Sequence, residues 1–255
     1  MKIQLLLCFC LMSISANLMA QFNWNKNPVI AHRGAFLKRD LPENSIASLQ
    51  EAIRLNCFGS EFDVHQTADG VLVVNHDPHY QGMLIAGTSY EELRKQPLKN
   101  GETIPTLKAY LQAGMMQKRT KLILEIKPVN DSLQMRKVTD AVVALVKEMR
   151  AEPWVEYISF NYACLTRVLE LHPKAQTAYL NGDKSLEQLK ADRVSGADYH
   201  YTVYKTGEWF KKAKNLSLTL NAWTVNKTED MNWLLDNDVT YITTNEPELL
   251  FTLLK

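Results

Sequence analysis

The sequence predicts an α/β barrel of eight parallel strands with helices outside, plus one extra antiparallel strand after the second barrel strand. Three observations lead there. The chain has 255 residues, a length that one such barrel commonly fills. Strand-like runs alternate with helix-like segments, which argues for a parallel sheet covered by helices. One pair of runs is joined too tightly for a parallel crossover, and setting its second run aside leaves eight.

The strand candidates, in order, are "PVIAH", "SEFDVH", "VLVVNHD", "KLILEIK", "VEYISF", "AQTAYL", "ADYHYT", "LTLNAWTV" and "TYITTN". Between them, "NSIASLQEAIRL" opens on a capping residue, Asn44 or Ser45, and carries apolar residues at helical spacing. "DSLQMRKVTDAVVALVKEM" is the longest helical pattern, and "YACLTRVLELH", "KTEDMNWLLDN" and "EPELLFTLL" are shorter ones. No repeat, low-complexity run or linker divides the chain, so residues 21–255 read as a single domain.

The second and third runs, "SEFDVH" and "VLVVNHD", are separated by little more than Asp69-Gly70. A parallel crossover needs about a dozen residues or more, so this pair is expected to be an antiparallel hairpin. A two-residue turn would place Ala68 opposite Val71 and Asp63 opposite His76. Directly opposite residues share a face, and Glu61 shares it with Asp63 by the period of two. The expected result is two carboxylates and a histidine brought to one place.

The N-terminus reads as a secretory leader over residues 1–20. Lys2 is followed by the apolar "IQLLLCFCLMSI" and by "SANLMA", with cleavage expected after Ala20 although Leu18 is larger than the residue usually preferred there. The apolar run is short for a membrane span, and no small residue precedes Cys8 or Cys10 as a lipid attachment site would require. Export to the periplasm or beyond is therefore expected, with no stable membrane span after cleavage. Cys57 and Cys164 would remain. Cys57 precedes its strand and Cys164 follows its own, which places them towards opposite ends of a barrel, so two free thiols are expected.

Net charge is +1 with acids and bases mixed, and no zinc-finger or RNA-binding signature is present, which gives no support for broad nucleic-acid binding, and no nucleic-acid partner is expected. The sequence specifies no oligomeric state.

Active sites of such barrels form at the C-terminal ends of the strands. Here those ends are repeatedly polar: His32-Arg33-Gly34, Glu61 and Asp63, Glu125 and Lys127, and Trp223. One charged strand end is usually just solvated or ion-paired; agreement across several strands singles these out. Glu61, Asp63 and Glu125 are an all-oxygen set suited to calcium, magnesium or manganese rather than zinc. Arg33 and Lys127 suit a phosphate, and His32 with His76 can serve as base and acid near neutral pH. Together these groups describe phosphodiester cleavage.

The ordered series "IAHRG", "LPENS", "SEFDVHQTADGVLVVNHD", "ETIPTLKAYL", "LILEIK", "NAWTVN" and "YITTNEP" resembles the glycerophosphodiester phosphodiesterases, within the phosphatidylinositol phospholipase C-like barrel group. The resemblance runs over roughly the whole mature chain. It implies a TIM-type barrel that hydrolyses a small-molecule glycerophosphodiester to glycerol 3-phosphate and an alcohol with one divalent cation, Ca2+ or Mg2+. It further implies that His32 and His76 are the acid/base pair and that Glu61, Asp63 and Glu125 are the metal ligands. Arg33 and Lys127 would hold the phosphate, Trp223 would wall the substrate, and Glu43 and Asn44 would support the site. Ser45 stands where the family usually has threonine. Residues 78–93 lack the family's leucine-arginine-threonine run, so the resemblance speaks to the core chemistry rather than to the preferred alcohol. A lysophospholipid-directed enzyme and a non-catalytic phosphate- or calcium-binding barrel are the rival readings; the intact histidine pair argues against the second.

His65 shares a face with Asp63, where packing or hydrogen bonding is expected before metal ligation. His79, His172 and His200 are expected in surface or loop roles. Trp154, Trp209 and Trp233 are expected to pack, as is Met115-Met116.

Overall fold

The structure, a computed structural model, describes residues 22–254; the expected leader lies outside the described residues. In chain order the strands are β1 (Val29–Ala31), β2 (Gly59–Gln66), β3 (Leu72–Val74), a small β4–β5 pair (His79–Tyr80 and Met83–Leu84), β6 (Lys121–Ile126), β7 (Val155–Ser159), β8 (Thr177–Tyr179), β9 (Gly196–His200), β10 (Thr219–Trp223) and β11 (Tyr241–Thr244). Eight of them (β1, β2 and β6 to β11) run parallel, and β1 pairs with both β2 and β11, so the sheet closes. The expected barrel is present, with all nine strand candidates in place and β3 antiparallel to β2. Among the described residues no helix is long and apolar enough to cross a membrane.

The five expected helices form at Ile46–Arg54, Ser132–Glu148, Tyr162–Leu171, Thr228–Asp236 and Pro247–Leu253. Ser45 caps the first, its side chain accepting from the Ser48 N–H, while Asn44 is left-handed and used elsewhere. Asp131 and Asn161 cap the next two in the same way, each cap worth about 1 kcal/mol. Leu107–Gly114, Leu186–Ala191 and Trp209–Leu216 are additional helices.

Inside the barrel, Ile30, Phe58, Ile123, Ile158 and Leu180 form an apolar floor, with Phe58 stacked on Tyr241 at 4.1 Å. Below it, the half-buried Lys121 ammonium lies 4.2 Å from the centre of the Trp24 ring and 3.8 Å from Glu156. Trp24 packs with Phe22 and Trp154, the role expected of Trp154. The barrel interior is thus filled below the C-terminal ends of its strands, and the polar strand-end residues lie above this floor. Cys57 and Cys164 are free and buried.

The hairpin register differs from expectation by one residue. Val64 faces Val74, His65 faces Val73 and Gln66 faces Leu72. Asp63 therefore lies opposite Asn75, whose N–H donates to the Asp63 carbonyl at 3.0 Å, and not opposite His76. The loop has three residues, Ala68-Asp69-Gly70. The Gly70 N–H donates to the Thr67 carbonyl, and Gly70 takes φ +84°, a turn-then-bulge connection instead of a two-residue turn. Thr67 selects it. Its hydroxyl donates to Asp69 Oδ1 at 2.5 Å and accepts from the Val71 N–H at 2.9 Å.

Candidate active site

The open end of the barrel holds a small cavity of about 120 Å³, lined among others by His32, Arg33, Glu61, His76, Glu125, Lys127 and Trp223. The β1 end contributes the first two. Directly after β1 the chain curls through two left-handed residues, Arg33 (φ +55°) and Gly34 (φ +80°). A β-carbon on Gly34 would sit 2.4 Å from the Ser48 hydroxyl and 2.6 Å from its backbone, so only glycine lets the first helix pack here. The curl turns the Arg33 N–H onto Glu61 Oε2 at 2.8 Å. It also directs the guanidinium onto Glu43, which accepts from Arg33 Nη1 at 2.9 and 3.0 Å. Arg33 Nε is left buried without a hydrogen-bond partner, 3.8 Å from Asp63.

The carboxylates come together through parallel register. Asp63 on β2 sits beside Glu125 on β6, with Glu61 and Lys127 on the same inward faces. One oxygen from each of Glu61, Asp63 and Glu125 lies within 4.8 Å of the others, and all three residues are buried. Lys127 Nζ is 2.9 Å from Glu125 and 3.2 Å from Asp63. Burial disfavours charge on Asp63, yet Lys127 and the Asn44 amide, which donates to Asp63 Oδ2 at 2.8 Å, hold its carboxyl below the usual range. Burial, helped by the Asp63 charge, pushes Glu125 up to about 8, and burial likewise raises Glu61. Burial would lower Lys127, but Asp63 and Glu125 hold its ammonium above its ordinary range. The three buried carboxyls share the Lys127 ammonium and an Arg33 guanidinium that Glu43 also claims, so they cannot all ionise, and the shifts of Glu61 and Glu125 express that deficit of positive charge. An all-oxygen donor set short of positive charge fits a hard divalent cation.

Asn44 links the loop to the cluster. Left-handed at φ +57° and buried, it also accepts from the Asp63 N–H at 3.1 Å. Asn44→Ala should cost about 3 kcal/mol, from the lost charged hydrogen bond and the left-handed backbone, and Asn44→Gly should recover about 1 kcal/mol of it. Urea unfolding measures both; a loss within about 0.5 kcal/mol, the scale of an ordinary surface change, would remove Asn44 from the frame.

The two histidines differ in surroundings. His32 is mostly buried. Burial, with the Arg33 charge, lowers it to about 4, so its imidazole is neutral at pH 7. Its Nδ1 lies 2.7 Å from Asn245 Oδ1, an acceptor, which leaves Nε2 as the free lone pair. Nε2 is 3.9 Å from Glu61. Because both groups are shifted towards their neutral forms, that contact is not an ion pair. His76 is part-exposed, with Nδ1 2.7 Å from the Asp77 carboxylate. It reaches the cavity despite the shifted register because the ladder stops at Val74. Asn75 then turns the chain, its amide donating to the Asp77 and His79 carbonyls. His65 Nε2 is 3.1 Å from the His76 carbonyl, so His65 holds this turn, in line with its expected hydrogen-bonding role.

The far arc is neutral and aromatic. Trp223 is fixed by its Nε1–H donating to the Asp198 carbonyl at 2.8 Å and stands edge-on to Phe160 at 5.5 Å. His200 also packs on Trp223 at 5.3 Å. Asp198, Phe160, Leu180 and Thr243 line the cavity too, and the sequence reading passes over all four as site residues. A signal was present for one: Asp198 and His200 are two apart at a strand end, like Glu61 with Asp63 and Glu125 with Lys127. Asp63 itself sits behind the lining, and Glu43 lies outside the cavity as the anchor of Arg33.

Residues 32–249 match the model of the glycerophosphoryl diester phosphodiesterase family. The chain belongs to that family. Among solved structures, a glycerophosphodiester phosphodiesterase from Parabacteroides distasonis is 39% identical, with a TM-score of 0.87 over 91% of this chain and 98% of that one. A glycerophosphodiester phosphodiesterase of Caldanaerobacter subterraneus is 28% identical, covering 90% of this chain and 98% of its own. The fold is also that of an Oleispira antarctica phosphodiesterase in complex with the product sn-glycerol-3-phosphate (23% identical, TM-score 0.75, covering 89% and 96%). The family match takes in every residue discussed above at the open end, from His32 to Asn245.

Proposed function

We propose that the protein is a metal-dependent glycerophosphodiester phosphodiesterase that releases glycerol 3-phosphate and an alcohol. The observation that carries this reading is the meeting, at one cavity, of two phosphate-type cations and two histidines with a buried three-carboxylate cluster, of which Glu61 and Glu125 line the cavity and Asp63 lies behind them. Membership of the family supports it.

Glu61, Asp63 and Glu125 would hold a hard divalent cation, calcium or magnesium, which supplies positive charge to the phosphoryl oxygens. Arg33, through its unpartnered Nε, and Lys127 bind the phosphate from the same side. His32, neutral and oriented by Asn245, takes the proton from the attacking hydroxyl or water at Nε2. His76 gives a proton from Nε2 to the leaving alkoxide. Its Nδ1 is held 2.7 Å from the Asp77 carboxylate, which orients the ring with Nε2 available to the substrate. Trp223 and Phe160 wall the organic part of the substrate.

The direct test is a panel of glycerophosphodiesters and lysophospholipids assayed with and without chelator. Glycerol 3-phosphate should appear from the glycerophosphodiesters and vanish with chelator. If no member of the panel is cleaved, the phosphate-binding barrel becomes the better account. Export rests on the leader-like residues 1–20, and a mature N-terminus at Gln21 in the secreted or periplasmic fraction would support it.

A further inference from the structure

Asp198 has no role in the chemistry above, yet it is among the most buried charged side chains in the protein, 1% exposed, and it lines the cavity. Its Oδ1 has no hydrogen-bond partner. A buried polar atom without a partner costs about 1–3 kcal/mol, so an orphan facing a cavity points to a ligand that completes it.

Its position says which part of the ligand. Counting round the closed barrel, β2 is the second strand and β9 the sixth of eight, so Asp198 stands across the cavity from Glu61. The cations Arg33 and Lys127 are on the first and third strands, and the phosphate belongs there. Asp198 is flanked by Trp223, Leu180 and Phe160, which contact carbon rather than charge. Asn221 and Thr243 satisfy each other at 2.8 and 3.2 Å. Burial raises the carboxyl to about 7, so it carries a proton through part of the neutral range. A neutral carboxyl offers one donor and one acceptor, the pairing that a hydroxyl group answers and a phosphate does not.

We propose that Asp198 is a specificity-determining residue that hydrogen-bonds a hydroxyl of the substrate's glycerol moiety from the side opposite the phosphate. This rests on the proposed activity and adds to it the group that reads the part of the substrate common to all glycerophosphodiesters.

The test is calorimetric binding of glycerol 3-phosphate and of n-propyl phosphate, which has the same charge and chain length without hydroxyls. It is run on the metal-loaded full-length protein. Wild type should prefer glycerol 3-phosphate. Asp198→Leu should shrink that preference by about tenfold, the scale of one lost buried hydrogen bond, and leave propyl phosphate affinity within about twofold. Asp198→Asn, which also donates and accepts, should keep most of the preference. The Trp223 bond to the residue 198 carbonyl survives in every variant, because it uses backbone. If the leucine variant fails to fold, Asp198→Ala gives the same readout. An unchanged preference, or an equal loss for both ligands, would overturn the inference in favour of a structural role. The proposed activity is scored separately, by whether wild type hydrolyses a glycerophosphodiester.

Discussion

Stripping the metal should lower turnover roughly 1000-fold or more, because a hard cation at the phosphoryl oxygens is worth several kcal/mol in the transition state. Calcium or magnesium should restore it, and the more effective ion would identify the natural occupant. Glu61→Gln, Asp63→Asn and Glu125→Gln should each raise the metal concentration needed for half-activity by at least about tenfold to 100-fold, since even outer partners of a metal site are worth that much. Binding should also depend on pH, in a direction set by Glu125. In the metal-free protein its carboxyl is raised to about 8, so below that pH it holds a proton that the cation must displace. Affinity should therefore rise with pH up to about 8, by up to about tenfold per unit for each proton displaced, and Glu61, raised in the same direction, adds to the slope. Asp63 is shifted the other way, is already ionised at neutral pH, and adds no such slope. Full activity in a metal-stripped sample, or a binding constant flat from pH 6 to 8, would break the assignment of this cluster.

Replacing either histidine should cost about 100- to 10,000-fold in turnover, the range of general acid–base catalysis. His32→Ala and His76→Ala should remain folded and still bind metal, because neither side chain is part of the carboxylate cluster. The two losses should not add, since both serve one reaction. The leaving group separates the roles. A nitrophenyl ester needs little protonation and should rescue His76→Ala far more than His32→Ala. The opposite pattern would exchange the assignments. Near-normal rates in both variants would end the catalytic reading.

Much of this site was legible before any coordinates. Alternation placed Glu61 with Asp63, and Glu125 with Lys127, on shared faces, and strand-end position put those faces at the open end of the barrel. His76 shows the limit of that reasoning. The expected register was wrong by one, because the Thr67 hydroxyl selects a three-residue loop, and a strict ladder would have turned the histidine away. It reaches the cavity through a turn held by the amide of Asn75 and the ring of His65, contacts that no period reveals.

The sequence by itself determined the barrel, its eight parallel strands, the added hairpin and the residue types at the strand ends, because each follows from short-range periodicity and connection length. Only the tertiary structure decided that Asn44 braces Asp63, that Glu43 anchors Arg33, that Asn245 orients His32 and that Asp198 faces the far wall of the cavity. Asn245 lies 213 residues from His32, and the two meet because the closing sheet sets the first strand beside the last. Barrel closure makes neighbours of residues remote in sequence, and the burial that comes with it shifts their charges. Neither effect is written in any local stretch of the chain.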